Sequence, residues 1–166
     1  MSAPAVGVRV RPARLEDAAR LAEMANDLND HVGVPGRPFT AARVQADAFG
    51  PHAAFTPLVA ELGGAVAGYA FYSASYNTDL AARGMWLHDI YVVPAARGHG
   101  VGFALMAAVA AEAVRTGCAS MEWGVHDGNA GALEFYRRLD ASPAPVRIMG
   151  LDGARLRAVA GAAPAS

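Results

Sequence analysis

The sequence contains no lysine: all fourteen of its basic residues are arginine. That absence excludes a Schiff-base lysine and any other catalytic role for a lysine amine. There is one cysteine, Cys118, so an intrachain disulfide and a thiolate metal cluster are excluded too. Following Gly117 at an expected helix end, Cys118 reads as a small buried apolar residue. Long hydrophobic runs are also missing. The alanine-rich stretch 103–114 is too short to span a bilayer, and residues 1–8 lack the basic and apolar segments of a signal peptide. A cytoplasmic protein with no membrane partner is expected. No excess of one charge stands out, with 15 acidic against 14 basic residues and a net charge of −1, so a nucleic-acid partner is not expected. The histidines, at positions 31, 52, 88, 99 and 126, are scattered and form no zinc-type cluster with cysteine and acids, so no metal is expected.

What is present is the composition of a globular domain, 54% hydrophobic and 17% charged over 166 residues. A chain of this length buries about 70% of the surface it exposes when unfolded. One domain is expected over 5–160, with 1–4 and 161–166 as disordered ends. The pattern predicts a strand at 6–10, then a helix opened by Glu16 and Asp17 with Leu21, Met24 and Leu28 at helical spacing. Glycines and prolines break the chain at 33–38, and Thr40 is placed to cap a short helix through Phe49. A hairpin follows, 56–62 and 65–75 around Gly63-Gly64. A strand at 86–93 ends at Pro94, and an almost wholly apolar helix at 103–115 implies burial against a sheet. Then come a strand at 120–125, a helix capped by Asn129 and running to Leu139, a strand at 146–151, and a last helix from Asp152 to Ala160.

Between the strand at 86–93 and the apolar helix stand Arg97-Gly98-His99-Gly100-Val101-Gly102. A strand, a glycine-rich turn and a helix start form a cradle for a phosphate, because glycine permits close backbone approach and the first helical turn offers unpaired N–H groups. A Walker loop is excluded, since Gly102 is followed by Phe103 and Ala104. A dinucleotide G-x-G-x-x-G is excluded as well: counted from Gly98 or Gly100, its third glycine falls on Phe103 or Leu105. What remains is R-x-x-G-x-G, written as Arg97, Gly100 and Gly102. It resembles the acyl-coenzyme A pyrophosphate loop of the GCN5-related N-acetyltransferase (GNAT) family.

A second segment strengthens the resemblance: 122–129, Glu-Trp-Gly-Val-His-Asp-Gly-Asn, followed by Ala132 and Glu134-Phe135-Tyr136-Arg137-Arg138-Leu139. It is similar to the family's other coenzyme-binding segment, in which an Asn starts a helix carrying a Tyr two turns on. Seven residues are about two turns, so Asn129 and Tyr136 share a face, while Ala132, Phe135 and Leu139 form the core side. The order of elements also matches the family's fold, an α/β (α+β) domain with a mixed central sheet flanked by helices. Residues 49–52, 58–61, 68–72 and 87–92 resemble the diamine and thialysine N-acetyltransferase branch, and the likeness runs over 8–151. In that branch the strand carries Glu-Asp where this chain has His88-Asp89.

The resemblance implies an acetyl-CoA-dependent transfer of acetyl to a primary amine of a small molecule, a diamine, a polyamine or an amino-acid side-chain amine, by direct attack in a ternary complex. A peptide, protein or aminoglycoside acceptor is the alternative enzyme reading; a non-catalytic acyl-CoA-binding module is the alternative outside catalysis. The coenzyme-binding residues it implies are Ile90, Tyr91, Val92, Arg97, Gly98, Gly100, Val101, Gly102, Asn129 and Tyr136, with a backbone N–H of 90–93 facing the thioester oxygen. Tyr136 is the candidate general acid, since a phenol stays protonated at neutral pH. His88 is the candidate base, because imidazole titrates near neutrality. Adjacent strand residues face opposite sides, so only one of His88 and Asp89 is expected to point into the site. Asp89, Asp30 and Asp79, with Asp27, are the candidate carboxylates for a cationic acceptor. A homodimer is implied as well.

Overall fold

The structure, a computed structural model, describes residues 7–164. The expected disorder at 1–4 lies outside them, as do 165 and 166 of the other end; residues 161–163 form a turn after the last helix. Five strands make one sheet in chain order: β1 (Val8–Pro12), β2 (Thr56–Leu62), β3 (Ala65–Asn77), β4 (Ala82–Val92) and β5 (Ser120–Trp123). Pairing is antiparallel from β1 to β4 and parallel between β4 and β5, as a helical crossover between those two strands requires.

Helix α1 (Ala18–Val32) and α2 (Ala41–Phe49) cover one face of the sheet, and α3 (Val101–Arg115) covers the other. Leu21, Met24 and Val44 bury against Val59, Tyr69, Phe71 and Tyr91 on the first face. On the second, Val101, Leu105, Met106 and Val109 bury against Ala60, Ala70, Tyr72, Met85 and Leu87. Thr40 caps α2 as expected, its side chain accepting from the Arg43 N–H at 3.2 Å. Near the start of α1, Arg11 reaches Asp17 at 2.7 Å and Glu61 at 2.7 Å, tying β1 and β2 to the helix. Arg11 chiefly holds the Asp17 carboxyl below its ordinary value.

Sheet and α3 meet most tightly at Gly68. A Cβ there would lie 2.7 Å from the Tyr91 carbonyl oxygen and 3.2 Å from the Leu105 and Val101 side chains. Gly68→Ala must push β4 from β3 or repack α3, an overpacking cost of about 1–3 kcal/mol. The expected result is a lower urea midpoint with an unaltered m-value. A wild-type midpoint would contradict so close an approach.

Several expected bounds shift by a few residues, β5 ending at Trp123 and α4 at Arg137, and three expectations shift further. The first strand begins at Val8 and continues to Pro12, because Arg11 is drawn into the pairing by Asp17 and Glu61. Strand β4 starts at Ala82 where 86 was expected, since β3 runs on to Asn77 and supplies partners for residues of low strand propensity. The strand expected at 146–151 is absent. Pro143 and Pro145 remove ladder donors on entry, and Val146, Ile148 and Met149 are 73%, 71% and 86% exposed, so no burial rewards pairing. The chain instead reaches α5 (Gly153–Ala160) by an irregular path after α4 (Ala130–Arg137). Cys118 is half-buried, its sulfur 3.5 Å from the Thr116 hydroxyl. Among the described residues no helix is long and apolar enough to cross a membrane.

Candidate active site

Strand β5 is short and pairs with β4 only over Gly84–Leu87. Past Leu87, the β4 edge facing β5 has no partner strand among the described residues, and its backbone groups there border a groove. The turn 97–100 closes one end of the groove. Gly98 and Gly100 have φ of +80° and +77°, a left-handed backbone that favours glycine. That backbone delivers the chain into α3, whose first helical bond runs from the Ala104 N–H to the Gly100 carbonyl at 2.9 Å. The N–H groups of residues 101–103 precede that bond and carry the positive end of the helix dipole.

Arg97 folds back on β4. Its Nε donates to the Val92 carbonyl at 3.1 Å, and its guanidinium lies 5.7 Å from the Tyr91 ring centre. His99 turns its Nδ1 to the Arg97 carbonyl at 3.0 Å. Across the groove, Asn129 caps α4, its Oδ1 accepting from the Ala132 N–H at 3.1 Å. Phe135 and Tyr136 follow on α4, 5.3 Å between ring centres. The groove holds about 630 Å³, and all ten residues expected to bind coenzyme line it, from Ile90 to Tyr136. A glycine cradle at a helix start with an arginine beside it has the donor set for a pyrophosphate.

A second cavity of about 590 Å³ lies on the α1 side of β4. His88 and Asp89 both line it, where only one was expected to. The reason is a β-bulge. Tyr72 pairs with Leu87 but Phe71 pairs with Asp89, leaving His88 without a partner. Leu87 therefore buries toward α3 while Asp89, two residues on, faces α1. His88 stays on that side as well, with its Nε2 2.8 Å from the Ser73 hydroxyl. The Tyr69 hydroxyl donates to Asp89 Oδ2 at 3.5 Å.

Electrostatics separate the titratable groups. Partial desolvation lowers the His88 imidazole, against the pull of Asp89, so the ring is neutral and able to accept a proton at pH 7. Burial raises the Asp89 carboxyl, opposed by His88 and the Tyr69 hydroxyl. Burial, with the Asp89 charge second, pushes the Tyr136 phenol up to about 12. Tyr136 also contacts Trp123, 5.0 Å between ring centres. It lines both cavities, as do Leu28, Ile90, Asn129 and Ala132. The groove and the cavity meet at Tyr136.

Asp30 and Asp79 lie outside this site. Asp30 is paired with Arg37, which also holds Asp27 at 3.0 Å, so these two of the three carboxylates of α1 are spent on fastening the following loop. Asp79 sits in the turn between β3 and β4. Sequence reasoning missed Trp86, Trp123, His126 and Ile148, which line the second cavity. The two tryptophans lie on strands, where an aromatic residue reads first as core.

The family model of the acetyltransferase (GNAT) family matches residues 21–141. A thialysine N-epsilon-acetyltransferase of Mus musculus is 32% identical over 142 residues, covering 80% of this chain and 83% of that one. Among solved structures, an integron cassette protein of V. cholerae superposes with a TM-score of 0.76 at 20% identity, over 93% of this chain and 98% of that one. An aminoglycoside N-acetyltransferase in complex with CoA gives 0.71 at 19% identity, over 87% and 94%.

Proposed function

The chain belongs to the GNAT family of acetyltransferases and is an N-acetyltransferase; from that premise we propose that it moves acetyl from acetyl-CoA to the primary amine of a small molecule, both bound at once. The observation that carries this reading is the junction: Tyr136, Ile90 and Asn129 border the phosphate-cradling groove and the second cavity together. A donor in one and an acceptor in the other would meet at that point, which is the positioning a direct transfer needs.

Acetyl-CoA supplies an acetyl group activated as a thioester. The protein's own residues bind, orient and handle protons around it. Backbone N–H groups of 101–103 and the Arg97 guanidinium hold pyrophosphate, and the free edge of β4 at 90–92 offers an N–H to the carbonyl oxygen as charge develops there. His88, neutral and fixed by Ser73, takes the proton that the acceptor's ammonium must lose. Tyr136 keeps its O–H at neutral pH and presents it to the departing sulfur. The mouse relative is named for the amine of thialysine, which supports a small-molecule acceptor here. The resemblance to the diamine-type branch extends the reading to a homodimer, which light scattering of the purified chain tests.

Thiol release from acetyl-CoA that depends on added amine, with the N-acetylated amine recovered by mass spectrometry, tests the reading. Tight CoA binding with no amine acetylated would overturn it. Arg97→Ala is expected to raise the KM for acetyl-CoA about tenfold, the worth of one charge-assisted hydrogen bond of ~1.5 kcal/mol, with a smaller change in kcat. An unchanged KM would remove Arg97 from the cradle.

A further inference from the structure

We propose that the acceptor is a monocationic primary amine carried on an aromatic or apolar body, and that the second cavity discriminates against diamines, polyamines and amino acids. The inference rests on the acetyl-transfer reading and names the occupant of the 590 Å³ cavity, a volume suited to one small molecule.

Charge is the first ground. Among the described residues one carboxylate, Asp89, lines the cavity, and it stands beside His88, the base that must meet the reacting nitrogen. Asp127, next to the lining His126, is exposed and does not line the cavity, and three other acids nearby are engaged elsewhere. Asp27 and Asp30 are paired with Arg37. Glu122, opposite Trp86 on β5, accepts from the Asn77 amide at 2.5 Å. A second ammonium would enter the cavity without a counter-charge, which costs free energy in a partly desolvated site. An amino acid fares no better. No arginine lines the cavity among the described residues, so its carboxylate would meet Asp89 with like charge.

Shape and polarity are the second ground. Trp86 shares the sheet face of His88, since both lie opposite or against Ser73. Trp123 approaches from β5 with its ring against Tyr136. Val32 at the end of α1 and Val34 just beyond it line the cavity, as does Ile148 from the C-terminal segment. Two indoles and three branched aliphatic side chains favour a ring or hydrocarbon body, through apolar burial and offset aromatic contact. A polycation would instead leave these surfaces against hydrated charge.

The test compares kcat/KM, by thiol release from acetyl-CoA, for 2-phenylethylamine, tryptamine, 1,4-diaminobutane and S-(2-aminoethyl)cysteine. The aromatic amines are expected to exceed the other two by about tenfold or more, the usual effect of one unmatched polar group. Parity, or preference for the diamine or the amino acid, overturns this inference and leaves acetyl transfer standing. No acetylated product from any of the four overturns the acetyl-transfer reading and this inference with it. A second arm uses Val34→Glu, at a cavity-lining position that is 38% exposed. One added carboxylate is expected to shift the ratio of diamine to 2-phenylethylamine by about tenfold toward the diamine. An unshifted ratio overturns selection by charge.

Discussion

Tyr136→Phe is expected to lower kcat about a hundredfold, the lower range for loss of a positioned proton donor, while affinity for acetyl-CoA holds. Phe keeps the ring that contacts Trp123 and Phe135 at 5.0 and 5.3 Å, so packing survives and the melting temperature should stay near wild type. What is lost is one O–H at the meeting point of groove and cavity. Burial raises the phenol to about 12, which keeps it protonated through the whole assay range. An alkaline fall in rate from its ionisation therefore lies above pH 10. Steady-state kinetics of the variant against wild type decide the matter, and an unchanged kcat would remove Tyr136 from the chemistry.

His88→Gln is expected to cost about a hundredfold in kcat at pH 7, the scale of a general base. The sign of the pH effect follows from the direction of the shift. A base works unprotonated, and desolvation lowers the His88 pKa below its ordinary value of about 6.5. The wild-type kcat should therefore be level at neutral pH and fall only on the acid side of 6.5. In the Gln variant that acid limb disappears. Its deficit should shrink as pH climbs toward the acceptor's own pKa, where free amine no longer needs a protein base. A variant that keeps the wild-type acid limb would show that another group titrates. The Ser73 hydroxyl, 2.8 Å from Nε2, fixes the ring, and Gln preserves a polar partner for it.

Local signals carried most of the candidate coenzyme groove. Gly98 and Gly100, expected to form the cradle's turn, adopt a positive φ there, Asn129 caps the helix it was expected to cap, and seven-residue spacing brings Asn129 and Tyr136 to one groove. These depend on helix geometry and backbone chirality, which act over a few residues. The acceptor side depends on register, which does not. Nothing local to 86–90 reveals that β3 skips His88 between Leu87 and Asp89, yet that bulge alone brings both side chains into one cavity. The acids of α1 misled for a similar reason. Asp27 and Asp30 suit a cationic substrate until Arg37, seven or more residues on, is seen to hold them. Residues 146–151 have the side chains of a strand but lack a partner among the described residues, and strand propensity without pairing settles nothing.

On the function proposed here, the acetyl group passes directly between two ligands meeting at Tyr136. Initial rates measured over a grid of acetyl-CoA and amine concentrations test it most directly. Double-reciprocal lines that intersect are the expected result, since both ligands must be bound before transfer. Parallel lines would signal an acetylated enzyme released from CoA before the amine binds, and would contradict the account.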